Sequence, residues 1–258
     1  MYSVVFRFAL ASFVLLIYSK AKKLSLSFST KDHLFFALQG ILLFGMNYWL
    51  VYMSEQTLTS GLVAAAYSTI IFFNIFFGKV FLKNTIHKKV ILGAALGIFG
   101  TALIFKPELS GFSFSDGNFI ALLLCVGSII LASLGNITSA FNQSKKRPVI
   151  QTNAYAMLYG ALLMTIIAII MGKEFVFDFS YKYVLSLIYL SVFGSVIAFS
   201  AYLTLVGKVG PGKAAYTILV LPVIALLIST VLEGYNWSAY SVFGVVLIAG
   251  GNVLALRK

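Results

Sequence analysis

Charged residues are scarce in this chain of 258 residues, because Asp, Glu, Lys and Arg together make up only 10% of it. Soluble globular domains carry about 25% charged residues, so the chain has too few charges to cover a surface that faces water. Cysteine is scarcer still: Cys125 is the single one, and no intrachain disulfide can form. These shortages exclude an ordinary soluble enzyme, a disordered protein and a secreted disulfide scaffold.

Acidic and histidine side chains, which carry much of enzyme and metal chemistry, are also few. The chain has 7 Asp and Glu residues and 2 histidines, and both His33 and His87 lie between apolar runs. A catalytic or metal site needs nucleophile, base and ligand groups in one cluster, and the sequence has neither a D-x-x-x-D pair nor a Walker A pattern. We therefore expect no enzyme activity, no cofactor and no metal. A membrane-embedded enzyme is the least favoured function.

Hydrophobic residues, by contrast, make up 60% of the chain, and its mean hydropathy is +0.99. A helix needs about 20 mostly apolar residues to cross a bilayer core, whereas barrel strands are about 10 residues long with alternating polarity. The long continuous runs therefore predict an all-α polytopic membrane protein with nine transmembrane helices. The nine runs are residues 2–19, 34–53, 60–82, 88–106, 117–140, 151–171, 183–206, 214–232 and 238–256.

The net charge of +12 is distributed in a way that predicts orientation in the membrane. Almost every Lys and Arg lies between apolar runs rather than on a folded polar face, so we expect a lipid bilayer around the protein and no nucleic-acid partner. Alternate connections, taken together with the C-terminus, hold 14 basic residues, and the remaining connections hold 3. Cytoplasmic loops are enriched in Lys and Arg. The pattern predicts an integral inner (plasma) membrane protein with a cytoplasmic C-terminus.

The two halves of the chain repeat each other weakly, at offsets of 149 to 151 residues. Matching spans lie five apart, so they cross the membrane in opposite directions, as in the inverted repeats of secondary transporters. The matching segments are RFAL (7–10) with LYGA (158–161), AAYS (65–68) with AAYT (214–217), and LGAALGIFGTALIF (92–105) with FGVVLIAGGNVLAL (243–256).

Three motifs give the chain a family resemblance over essentially its whole length. They are FRFALA (6–11), YMSEQTLTSGLVAAAYS (52–68) and GPGKAAYTILVLPVIALLISTVLEG (210–234). With them the chain resembles the drug/metabolite transporter superfamily, and in particular its EamA-type ten-helix members. The resemblance implies a first repeat of four helices over residues 1–106 and a second repeat of five helices over residues 117–258.

Two residues depart from the family pattern. Pro222 has no proline as its counterpart in the first half, where the sequence reads FFN at 72–74. Lys83 stands where the second half has Glu233. A cytoplasmic position explains the lysine, whereas the missing proline has no such explanation.

The resemblance implies a secondary transporter, of the kind that includes efflux proteins, which moves a small metabolite by alternating access. The solute would be an amino acid, a drug-like molecule or another amphipathic compound. A passive channel is the alternative, and it would need a continuous polar stripe along one pore. Substrate identity, transport direction, coupling ion and assembly into a homo-oligomer stay open.

Polar and aromatic side chains within the apolar runs are the candidates for a substrate cavity. Arg7 is the strongest single candidate, because a charged residue within a membrane span by default marks function. Arg7 lies near the outer end of its span, however, so its side chain could also snorkel to the lipid headgroups. The amides and hydroxyls could either bond neighbouring helices or line the cavity. The resemblance places that cavity among the second, third, fifth, seventh and eighth spans. The candidate residues are Arg7, Asn47, Tyr67, Asn74, Asn136, Ser195 and Tyr216.

The fifth run, residues 117–140, has no repeat partner within the sequence. A partner about 150 residues earlier would precede Met1. We therefore expect a further helix ahead of Met1, which would complete two halves of five helices and match the ten-helix family.

The scarcity of acids also generates a prediction about energy coupling. Proton carriers within membranes are usually Asp, Glu or His, and no run contains one of these deep in its interior. We expect facilitated transport or exchange, or coupling through span-end acids such as Glu55 and Glu233. Uptake into proteoliposomes with and without a pH gradient measures this. Uphill uptake driven by the gradient in a variant that lacks both acids would contradict it.

Overall fold

A helix forms at each of the nine predicted runs in the structure, a computed structural model that describes residues 2–112, 116–232 and 237–256. No strand occurs within those residues, and a short helix, Lys106–Ser110, follows the fourth run. The helices are α1 (Tyr2–Ala21), α2 (Thr30–Ser54), α3 (Ser60–Tyr67 and Ile70–Leu82), α4 (Lys88–Ile104), α5 (Asp116–Ser144), α6 (Val149–Ile170), α7 (Tyr181–Val209), α8 (Pro211–Ala214 and Tyr216–Leu232) and α9 (Ala239–Leu256).

Seven helices of the described residues are long and apolar enough to cross a membrane. They are α1, α2, α3, α5, α6, α7 and α8. The other two, α4 and α9, have 17 and 18 residues, at the short end of the length that spans a bilayer core. The prediction of an all-helical polytopic membrane protein is confirmed.

The helices form two compact units, and each unit takes helices from both halves of the sequence. Unit 1 comprises Met1–Tyr52 and Leu131–Lys208, and unit 2 comprises Met53–Ile130 and Val209–Lys258. Unit 1 contains α1 packed against α6, and unit 2 contains α4 packed against α9. Both pairs are partners in the sequence repeat, so the halves of the repeat are interleaved in space instead of folding as separate domains.

Helix boundaries recur at nearly the same offset as the sequence motifs. The starts of α2, α3 and α4 lie 151 residues before those of α7, α8 and α9. A π-helical segment also occurs in α2 and in α7, and the two begin 150 residues apart, at Gly40–Met46 and Leu190–Ile197. A π-helical turn inserts one extra residue and is found frequently at functional sites.

The residues that shape these boundaries recur as well. Ser29 caps the start of α2, and its hydroxyl accepts a hydrogen bond from the backbone of Asp32 at 3.2 Å. Ser180, 151 residues later, caps α7 in the same way by accepting from the backbone of Tyr183 at 3.3 Å. A serine at this position satisfies a backbone amide that would otherwise lack a partner. Equivalent sequence thus produces equivalent local structure.

Helices α3 and α8 are both interrupted one or two turns after they begin, and a hydroxyl stabilises each interruption. In α3 the Ser68 hydroxyl donates to the carbonyl of Ala65 at 2.6 Å. In α8 the Thr217 hydroxyl donates to the carbonyl of Ala214 at 2.8 Å. The two bonds are related by the offset of 149 residues that aligns AAYS with AAYT.

Glycines allow the backbones of α4 and α9 to touch in unit 2. A Cβ at Gly93 would lie 2.5 Å from the Gly251 carbonyl oxygen, and one at Gly251 would lie 2.5 Å from that of Gly93. Gly100 and Gly244 show the same reciprocal approach at 2.6 Å. Because 93 meets 251 while 100 meets 244, the helices run antiparallel. Small residues permit such close contacts between membrane helices.

Two adjacent glycines in α9 test this contact. We expect Gly251→Ala to lower the free energy of unfolding by about 1–3 kcal/mol, because the new methyl group overpacks the contact with Gly93. Gly250 has nothing within 4 Å of the position of a Cβ, so Gly250→Ala is the matched control and should leave stability unchanged or slightly raised. Thermal unfolding of the purified variants in detergent provides the comparison. Equal stability of the two variants would contradict the packing assignment.

Candidate functional site

Arg7 lies in the second turn of α1 and is held there by contacts with α2 and α7 of the same unit. Its Nε donates to the Ser195 hydroxyl at 2.8 Å, and its Nη2 donates to the Gly194 carbonyl at 3.3 Å. The guanidinium carbon lies 5.5 Å and 5.7 Å from the ring centroids of Phe8 and Tyr48. Both distances are within the range of cation–π attraction. Two predicted site residues, Arg7 and Ser195, are therefore in direct contact.

Ser195 and Gly194 lie in the π-helical segment of α7, and this local geometry shapes the contact with Arg7. Ser195 is fully buried. A Cβ at Gly194 would lie 3.2 Å from Nη2 of Arg7, so glycine lets the guanidinium approach the backbone closely. The altered register of the π-helix directs the hydroxyl and the carbonyl toward α1.

The two predicted asparagines of unit 1 are buried near the same helices. Asn136 in α5 donates from Nδ2 to the Tyr202 hydroxyl of α7 at 3.2 Å. Asn47 directly follows the π-helical segment of α2 and is 5% exposed. Tyr202 is not among the predicted residues, but it lies seven residues after Ser195, two helical turns along α7, and that spacing was the signal available for it.

The three predicted residues of unit 2 serve as links between helices. The Tyr67 hydroxyl lies 3.0 Å from the Ser128 hydroxyl. Asn74 is fully buried and donates to the carbonyl of Pro211 at 3.2 Å. Tyr216 is buried in a cluster of apolar side chains from α3, α4, α8 and α9, and its hydroxyl donates to the carbonyl of Val90. Of the predicted site residues, Tyr216 has the surroundings most typical of helix packing.

Unit 1 also contains a chain of polar side chains that is not part of the predicted site. Arg147 forms an ion pair with Asp32, with Nε 2.6 Å from Oδ1, and donates from Nη1 to Asn142 at 2.8 Å. Asn142 then donates to Gln39 at 2.9 Å, and Gln39 donates to Asn153 at 3.1 Å. The three amides are at most 1% exposed. Amides in or beside apolar runs are the signal that could have found this network, since they need partners inside the protein.

The remaining acidic, histidine and cysteine side chains of the described residues do not form a metal-binding cluster. No group of three or more His, Cys, Asp or Glu side chains there could hold a metal ion. Cys125 is buried in α5. Glu233, the acid that the sequence comparison of the halves singles out, lies outside the described residues.

Comparisons with known proteins agree with this architecture. Residues 1–106 and 118–257 match the EamA-like transporter family. The inner membrane transporter YedA of Escherichia coli (strain K12) is 31% identical over 231 residues, which cover 86% of this chain and 72% of YedA. The transporter YdfC of Bacillus subtilis (strain 168) is 25% identical, over 95% of this chain and 78% of YdfC.

Two further matches concern a named activity and the fold. A protein of Escherichia coli (strain K12) described as a probable amino-acid metabolite efflux pump is 23% identical, over 77% of this chain and 69% of its own length. One solved crystal structure has a TM-score of 0.82 with this chain at 15% identity, and covers 98% of this chain and 86% of the other. That likeness shows the fold alone.

The buried amide network of unit 1 generates a stability prediction. We expect Asn142→Ala to lower the free energy of unfolding by about 1–3 kcal/mol, because Gln39 and Arg147 each lose a buried hydrogen-bond partner. Ser144→Ala, at an exposed position two residues away in the same helix, is the matched control. Unfolding of both variants in detergent measures the difference. A loss no larger than that of the control would show that the network is energetically unimportant.

Proposed function

The chain belongs to the EamA-like transporter family, and on that basis we propose that it is a secondary transporter that moves a small amphipathic metabolite by alternating access. The chain is an integral inner membrane transporter, as its helices and its relatives indicate. These relatives are transporters and not enzymes by name. The proposal adds the mechanism and the class of solute.

The recurrence of local structure at one offset carries this proposal. Helix starts, the two π-helical segments and the capping serines recur after 150 or 151 residues. The reciprocal contacts of Gly93 with Gly251 and of Gly100 with Gly244 are those expected of two elements related by a twofold axis. Inverted repeats of this kind let a secondary transporter exchange the conformations of its halves, so the recurrence supports alternating access.

The polar groups of unit 1 support a solute site there. Arg7, Ser195, Asn47 and Asn136 lie on α1, α2, α5 and α7, and two of the four are in contact. Aromatic rings of Phe8 and Tyr48 accompany them. A few polar groups among apolar and aromatic walls is the usual composition of a small-molecule site. An amphipathic solute such as an amino acid fits it, in line with the relative that is described as an amino-acid metabolite efflux pump.

The excess of basic residues in alternate connections supports the orientation that completes the proposal. With 14 basic residues on one side and 3 on the other, the C-terminus faces the cytoplasm. Residues near the start of α1, including Arg7, then lie toward the outer side of the membrane.

Cysteine labelling tests whether the site opens to water. Cys125→Ala removes the single cysteine, and single cysteines then replace Ser195 or, as control, Phe193 in the same π-helical segment. Ser195 is fully buried and Phe193 is 54% exposed. We expect a membrane-impermeant thiol reagent to label Ser195→Cys faster, because opening admits water to that position whereas a lipid-facing thiol stays protonated and unreactive.

The same experiment has a clear negative outcome. Labelling of Ser195→Cys no faster than that of Phe193→Cys, in vesicles that transport, would contradict the assignment of the site. Saturable counterflow in proteoliposomes would support a carrier. Flux that does not saturate, without counterflow, would favour the passive channel.

A further inference from the structure

Arg7 differs from the other described arginine of unit 1 in having no carboxylate to neutralise it. Among the described side chains, the ion pair found joins Arg147 to Asp32. The contacts of Arg7 are the hydroxyls of Ser195 and Tyr48, the backbone carbonyl of Gly194 and the rings of Phe8 and Tyr48, all of them uncharged. A positive charge within a membrane span normally pairs or marks a functional pathway.

Within unit 1, no described carboxylate lies within ion-pair distance of Arg7. In the loop before α7, the Asp178 carboxylate already accepts hydrogen bonds from the backbone and hydroxyl of Ser180, at 2.8 Å and 3.0 Å. Glu174 in the same loop is exposed. The 7 acids of the chain are Asp32, Glu55, Glu108, Asp116, Glu174, Asp178 and Glu233.

The equivalent position in the other half shows that the fold itself does not need a charge here. Arg7 aligns with Leu158 at the offset of 151, and Gly194 aligns with Phe44 at 150. The contact of α6 with α2 in that half is apolar: a Cβ at Gly160 would lie 2.7 Å from the Cβ of Phe44. One half of the repeat therefore has an apolar residue where the other has a guanidinium.

The guanidinium also keeps donors available for a ligand. A guanidinium has five N–H donors in a planar fork. Ser195 and Gly194 occupy one on Nε and one on Nη2, and the Tyr48 hydroxyl is a further hydrogen-bond partner of Arg7. Because these three partners use at most three donors and fix the plane of the group, the remaining donors are oriented in advance, which lowers the entropy lost on binding.

We propose that Arg7, oriented by Gly194 and Ser195 beside the rings of Phe8 and Tyr48, binds the carboxylate of the transported solute. This inference rests on the proposed function and names the anionic group that the solute must carry. A guanidinium pairs with a carboxylate through two parallel hydrogen bonds. A single cation matches a single negative charge, since the other basic residues of the unit 1 spans lie at helix ends. The rings supply the apolar wall for the rest of the solute.

Chemical modification of the wild-type protein tests the carboxylate site without any variant. The chain has three arginines, Arg7, Arg147 and Arg257, and phenylglyoxal modifies guanidinium groups. Purified protein in detergent is treated with the reagent, and mass spectrometry measures modification at each arginine. The probes are phenylacetate and L-leucine, each compared with its own amide. We expect the acids to slow modification of Arg7 at least fivefold and the amides to have little effect, with Arg147 as the internal control.

Four results of that measurement would overturn the proposal. Acids that leave the rate at Arg7 unchanged, or amides that protect as well as acids, would show that no carboxylate binds there. Inorganic phosphate that protects where the acids do not would assign a different anion. Protection by added phosphatidylglycerol alone would make Arg7 an anchor to lipid headgroups.

Transport by variants separates this inference from the proposed function. In counterflow of L-leucine into proteoliposomes, we expect Arg7→Gln to lower kcat/KM at least tenfold and Arg7→Lys, which keeps the charge but loses the fork, to lower it less. Phe193→Leu, at a position of the same π-helical segment that is 54% exposed, is the control. If Arg7→Gln leaves kcat/KM for counterflow unchanged, the carboxylate site is overturned, whereas the proposed function as a transporter is not. Protection of Arg7 by acids without saturable flux of any probe would overturn the proposed transport and leave the site.

Discussion

The absence of water in the bilayer core is the constraint on which the rest of this structure depends. Every backbone amide in a span must find its partner within the protein, and helices satisfy this requirement inside each segment. Two buried hydroxyls illustrate the same requirement for side chains: Ser12 donates to the carbonyl of Ala154, and Thr101 donates to that of Gly97. Longer polar side chains need partners on other helices. The amides of Gln39, Asn142 and Asn153 therefore form a connected series.

A second constraint comes from the internal repeat, because both halves of the sequence form the same local structures. Where the two halves carry equivalent residues, as at Ser29 and Ser180 or at the paired glycines of α4 and α9, the residues serve the fold. Where the halves differ and membrane orientation does not explain the difference, as it does for Lys83, the shared fold does not require the residue. Arg7, for example, aligns with Leu158 when the two halves are compared. An internal repeat thus works as a control within the molecule, and it separates positions set by packing from positions open to function.

The two described arginines of unit 1 show how surroundings decide the role of one side-chain type. Arg147 has a carboxylate and an amide as partners, and its charge is neutralised within the protein. Arg7 has a hydroxyl and a carbonyl, which fix its orientation but leave its charge uncompensated. A neutralised guanidinium stabilises a local network, whereas an uncompensated one in a span attracts an anion. The difference depends on geometry, since both residues lie near the ends of apolar runs.

The sequence by itself determined the helical class, the positions of the nine predicted helices within the described residues, the membrane environment and the family. Each of these depends on composition or on the length of a run, and both are local properties of the chain. It also indicated Arg7 and Ser195, although as separate candidates.

Only the tertiary structure decided that these two residues touch, that Tyr216 belongs to an apolar cluster, and that Asp32, Arg147 and three amides form a network. These contacts join residues more than 100 positions apart, such as Arg7 with Ser195 and Asn142 with Gln39. Hydropathy specifies which segments enter the bilayer, but the rotation of each helix about its own axis is set by packing against its neighbours, and that rotation decides which polar side chains meet.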